Sequence, residues 1–85
     1  MSYLLVLVTC PDENQAKDLA AALVAEKLAA CVQLSKVDSY YTWQGETCVD
    51  PEIRLSIKTA KKRYDRLEKF ITSRHSYEVP QIVAI

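Results

Sequence analysis

One long ribbon constrains this chain more than any other feature. Residues 31–34 read Cys-Val-Gln-Leu, and 35–43 read Ser-Lys-Val-Asp-Ser-Tyr-Tyr-Thr-Trp. Gln44-Gly45-Glu46 is a turn signal, and Glu52 to Lys58 alternates polar and apolar residues. Together they predict a β-hairpin. Cys31 to Trp43 is 13 residues, about 43 Å when extended. The helix expected over residues 12–28 has 17 residues, about 25 Å of length. The hairpin therefore overshoots the layer meant to cover it. Its overhang carries Tyr40, Tyr41 and Trp43, which are costly to leave in water. A ribbon of this kind invites pairing with another copy of itself.

The remaining segments fit around that ribbon. Residues 3–9 are almost continuously apolar and suit a central strand. Pro11 ends the strand; Asp12 is placed as an N-cap with Gln15 three residues on. Ala16, Leu19, Ala20, Leu23, Val24 and Leu28 form the apolar stripe of a first helix. In the second strand the apolar positions shift from even (Val32, Leu34) to odd (Val37, Tyr41, Trp43). That shift predicts a β-bulge near Ser35-Lys36. Gly45, the only glycine, is expected at positive φ in the turn. Ile53, Leu55 and Ile57 should face the core, with Arg54, Ser56 and Lys58 opposite.

Thr59 is a candidate N-cap for a second helix, whose stripe is Tyr64, Leu67, Phe70 and Ile71. Lys61, Lys62 and Arg63 fall in its first turn, either as a solvated basic turn or as an anion site. Val79-Pro80 opens a last strand that runs to Ile85. The order is strand, helix, strand, strand, helix, strand. The expected fold is α+β: a ferredoxin-like βαββαβ sandwich with a long bulged hairpin, forming one domain over residues 1–85.

Eleven basic and eleven acidic residues cancel, which argues against nucleic acid or a membrane surface as partner. Three cysteines at no metal-ligand spacing suggest reduced thiols. Cys10 is the expected exposed thiol and Cys31 a small core residue. Residues 1–3 carry no charged leader pattern, so a cytoplasmic location is expected. The third strand has no aromatic residue for stacking RNA bases. Cys10 has no Cys-x-x-Cys partner, the first loop has no arginine for phosphate, and one glycine cannot build a phosphate loop. His75, the only histidine, either caps the second helix or contacts a metal or ligand. A metal site on it would need ligands from elsewhere.

Several stretches together resemble the CutA divalent-cation tolerance family. They are Pro11-Asp12-Glu13, Ala25-Glu26-Lys27-Leu28-Ala29-Ala30-Cys31-Val32, Ser39-Tyr40-Tyr41-Thr42-Trp43-Gln44-Gly45, Ile57-Lys58-Thr59 and His75-Ser76-Tyr77-Glu78-Val79-Pro80. The resemblance implies a non-enzymatic homotrimer, joined through the Cys31 to Lys58 hairpin, with an architecture like the PII signalling proteins. It implies a link to copper or other divalent cations, held weakly. An intersubunit cleft would be lined by Tyr41, Trp43, Lys58, Tyr77 and Glu78, with His75 as the metal ligand. Of the family's metal positions, a strand-one cysteine and a His-His pair, this chain has Val8 and Arg74-His75, so only His75 matches. Family members continue past the fourth strand into a further strand and helix that this sequence lacks, which is expected to weaken trimer contacts. The alternatives are a PII-like small-molecule or anion sensor using Lys58 and the Lys61 to Arg63 turn, or a truncated or engineered scaffold without a ligand.

Overall fold

The apolar run at the start of the chain forms β1 (Tyr3–Cys10). The computed structural model of the chain describes residues 2–76 and 81–85. After β1 come α1 (Glu13–Ala25), β2 (Cys31–Trp43), β3 (Glu46–Ala60), a short 3-10 turn (Lys61–Arg63), α2 (Tyr64–Arg74) and β4 (Ile82–Ala84). The four strands make one antiparallel sheet in the order β2-β3-β1-β4. This is the expected ferredoxin-like arrangement. Ile85 extends the β4 ladder, exchanging backbone hydrogen bonds with Leu5 at 2.8 and 3.3 Å. β2 lies at one outer edge of the sheet.

Alternation along the strands decides what the helices cover. Val6, Val8 and Cys10 from β1 and Ile53, Leu55 and Ile57 from β3 are buried beneath α1 and α2. Ala16, Leu19 and Leu23 from α1 and Leu67 and Ile71 from α2 close the core. Asp12 caps α1 as expected, its Oδ1 accepting from the Gln15 N–H at 2.8 Å. The helix ends at Ala25, three residues early. Lys27 then takes positive φ (58°), and the Leu28 N–H donates to the Leu23 carbonyl at 3.0 Å. This reversal tucks Leu28 into the core and leaves Val24 exposed rather than on the buried stripe.

Four expectations about local structure are corrected. There is no bulge in β2: its pairing with β3 runs unbroken from Cys31↔Lys58 to Trp43↔Glu46. The apolar positions do change face, but beyond Val37 the ribbon has left the helices behind. No core dictates a single buried face there, so the backbone need not slip. Thr59 is not a helix cap. It lies on the core face of β3, 1% exposed, and its hydroxyl donates to the Leu28 carbonyl at 2.7 Å. Cys10 is fully buried, not exposed. Cys31 in turn is half-buried beside Lys58 on the face away from the helices, not in the core.

Candidate functional site

The hairpin is built as its lengths require. Gln44 (φ 51°) and Gly45 (φ 79°) make the tight turn, matching the twist of the two strands. The domain measures 43 × 23 × 21 Å, its long axis reflecting the ribbon. Tyr40 is 73% exposed and Trp43 63%. Tyr41 and Trp43 share the face opposite the helices, across from Cys48 and Glu46. The Tyr41 hydroxyl donates to the Asp50 carboxylate. That bond, with the negative charge behind it, pushes the phenol pKa up to about 12. The ring is thereby oriented by a partner that the sequence does not single out.

Lys58 lies on the same sheet face, but opposite Cys31 at the far end of the hairpin. Ten residues separate Cys31 from Tyr41 along β2, about 33 Å of strand. His75 lies on neither patch. Its Nε2 donates to the Thr9 carbonyl at 2.7 Å, 3.7 Å from the Cys10 sulfur. It opens onto a groove of about 430 Å³ shared with Gln15, Asp18 and Arg74. Tyr77 and Glu78 lie outside the described residues. One chain therefore brings Tyr41 and Trp43 together and keeps Lys58 and His75 apart from them. Only a second copy could close a cleft that uses all four.

The surroundings of His75 do not complete a cation site in one chain. Among the described residues no group of three or more His, Cys, Asp or Glu side chains is placed to hold a metal ion. Burial, then the charges of Asp12 and Glu52, push the Cys10 thiol up to about 11. It remains a neutral thiol, whereas metals bind thiolate. The Arg74 guanidinium stacks over the Phe70 ring at 4.5 Å, placing a positive charge on the residue next to His75. The backbone N–H of His75 donates to the Ile71 carbonyl at 2.9 Å, the last bond of α2, while its Nε2 is turned to Thr9 and Cys10.

The sheet face away from the helices holds a surface that sequence reasoning missed. Leu5 and Leu7 of β1 alternate with the buried Val6 and Val8 and point the other way. Val83 pairs with Leu7, and Ile85 bonds to Leu5. Val83 and Ile85 are exposed. Half of this face is therefore apolar, beside the polar half carrying Arg54, Ser56 and Lys58. The signal was the unbroken apolar run of β1, which suits a strand covered on both faces.

The comparisons with known proteins agree with this fold. Residues 4–85 match the CutA1 divalent ion tolerance protein family. The chain is 43% identical over 81 residues to the divalent-cation tolerance protein CutA of Thermus thermophilus, covering 94% of this chain and 79% of that one. A structure of the Thermus protein superimposes with a TM-score of 0.92, over 99% of this chain and 82% of that one. The chloroplastic CutA 1 of Oryza sativa is 37% identical over 83 residues, which are 96% of this chain and 47% of its own length. The crystal structure of Oryza sativa CutA1 gives a TM-score of 0.94 at 37% identity, covering 98% of this chain and 77% of that one. The periplasmic divalent cation tolerance protein CutA of Archaeoglobus fulgidus gives 0.94 at 28% identity, covering 99% and 82%. By sequence and by structure alike, the chain belongs to the CutA1 divalent ion tolerance protein family.

Proposed function

We propose that this chain acts as a non-enzymatic, self-assembling protein of divalent-cation tolerance, working as a homotrimer. The observation that carries the proposal is the uncovered surface of the single chain. The hairpin holds Tyr40 and Trp43 out in solvent, and the sheet adds Leu5, Leu7, Val83 and Ile85 on a face without helices. Burying one such side chain fully contributes about 1.5–3 kcal/mol, so association has a strong apolar drive. Assembly would also bring the scattered Tyr41, Trp43, Lys58 and His75 of different copies into one cleft, together with Tyr77 and Glu78. Copper(II) or a similar cation is the proposed cargo, held by ligands that converge from several copies with His75 among them. A cytoplasmic setting is part of the proposal.

Light scattering tests the assembly: a trimer of the 9.6 kDa chain has three times that mass, and a Tyr40→Ser/Trp43→Ser variant should fall towards the single-chain mass. A wild type that stays at 9.6 kDa at micromolar concentration overturns it. Calorimetric titration of the assembled protein with copper(II) tests the cargo. Binding that weakens in His75→Ala supports it; equal or negligible heats in both remove His75 from the role.

A further inference from the structure

The end of the domain away from the hairpin tip carries a cleft of about 330 Å³, at the small end of the range of about 300–1,000 Å³ for ligand sites. Three cations line it: Lys27 after α1, and Lys62 and Arg63 of the 3-10 turn. Among the described residues no carboxylate lines it. Its floor is apolar, made by Val24, Ala29, Ala30 and Ala60, and Tyr3 stands at its edge. An adjoining hollow of about 400 Å³ shares Ala60 and Lys62 and adds Lys61.

One of these cations is held in place, and a second sits on an unusual backbone position. Arg63 is anchored, its Nη1–H donating to the Lys27 carbonyl at 3.0 Å. A guanidinium held by one N–H still presents the rest of its planar fork. Lys27 occupies the positive-φ position after a helix, where glycine is the favoured residue. A lysine there has a backbone cost, and its side chain lines the cleft. The first N–H of the 3-10 turn, that of Lys61, is taken by the Ser2 carbonyl at 2.9 Å.

We propose that this cleft binds a small organic phosphate. The apolar or aromatic body rests on Val24, Ala29, Ala30 and Ala60, and the phosphate is held by Lys27, Lys62 and Arg63. A dianion suits three cations with no carboxylate among the described lining residues, and a guanidinium fork matches phosphate oxygens. The floor favours an ester over inorganic phosphate. The site shares no residue with the cation-linked cleft proposed above and takes the opposite charge; it lies at the Lys58 end of the hairpin, away from Tyr41 and Trp43.

The test is a low-salt titration of the full chain with phenyl phosphate, followed by amide-resolved NMR. The largest shifts should fall on Lys27, Ala30, Lys62 and Arg63. Inorganic phosphate should bind at least about threefold more weakly, and phenol should give no saturable shift. Lys27→Gly is the informative variant, since it relieves the backbone while removing a charge. It should melt no lower than wild type and bind about threefold more weakly, and Lys27→Gly/Lys62→Ala about tenfold more weakly. Unchanged affinity in the double variant overturns the proposal. So do shifts centred on the open sheet face, or the absence of saturable binding at millimolar phenyl phosphate.

Discussion

Thr59 offers a sharp test of how the core is tied together. Its hydroxyl donates to the Leu28 carbonyl at 2.7 Å, with both residues almost fully buried. The bond joins the end of β3 to the loop that leads α1 into β2. Thr59→Val keeps the shape and strands that carbonyl without its donor, a loss of about 1–2 kcal/mol. For a domain of this size that lowers the melting temperature by about 5–15 °C. Thr59→Ser keeps the donor and loses one methyl, about 1 kcal/mol. Thr59→Asp separates the two possible roles of the residue. At a helix N-cap, aspartate serves at least as well as threonine. On the core face of β3 it buries an unpaired carboxylate, costing about 3 kcal/mol or more at neutral pH. Its stability should recover partly in acid, where the carboxyl is neutral. Urea denaturation at one fixed protein concentration is the assay, since self-association would add to apparent stability. A Thr59→Asp protein as stable as wild type would refute the core role.

In the dissociated Tyr40→Ser/Trp43→Ser chain, native thiol titration should show Cys31 and Cys48 reacting at least about 100-fold faster than Cys10, which is buried and whose pKa is raised. The same shift carries a pH sign. Cys10 holds its proton more tightly folded than unfolded, so its contribution is complete below pH 9 and is lost as pH rises towards about 11. Denaturation midpoints of wild type and Cys10→Ala should converge or cross over that window. Asp50→Asn should bring the Tyr41 phenol down from about 12 towards its ordinary value, read from phenolate absorbance against a Tyr41→Phe reference. At the hairpin turn, Gln44→Asn should stabilise by about 0.5 kcal/mol, because asparagine tolerates positive φ. Gly45→Ala should cost about 1 kcal/mol despite open space around the new methyl; equal melting temperatures would contradict this.

Local chemistry made much of the fold readable beforehand. Asp12 three residues before Gln15 marked a helix start, Gly45 marked the turn, and Ile53, Leu55 and Ile57 named the buried face of β3. The readings failed where one residue type serves two environments. Thr59 has a cap-forming side chain, yet the strand runs one residue past it and points it inward. Cys10 sits beside a proline where a loop is plausible, yet even spacing from Val6 and Val8 carries it into the core. The alternation of β2 was read against a core that its outer half does not touch, and so suggested a bulge. The site was less legible than the fold. Tyr41 and Trp43 are joined by simple strand spacing, but Lys58 and His75 are separated from them by tertiary geometry that no local pattern encodes. The phosphate cleft gathers residues from three segments far apart in the sequence.

The outer position of β2 has a consequence for the life of the newly made chain. Thirteen residues of it stand at the border of the sheet, with one row of amides and carbonyls unclaimed by any strand among the described residues. Such a border accepts whatever extended segment arrives, right or wrong. Dilution, slow synthesis or a shortage of sister molecules would lengthen the time spent in that receptive condition. Assembly should then act as a safeguard, with unassembled copies more exposed to degradation than assembled ones.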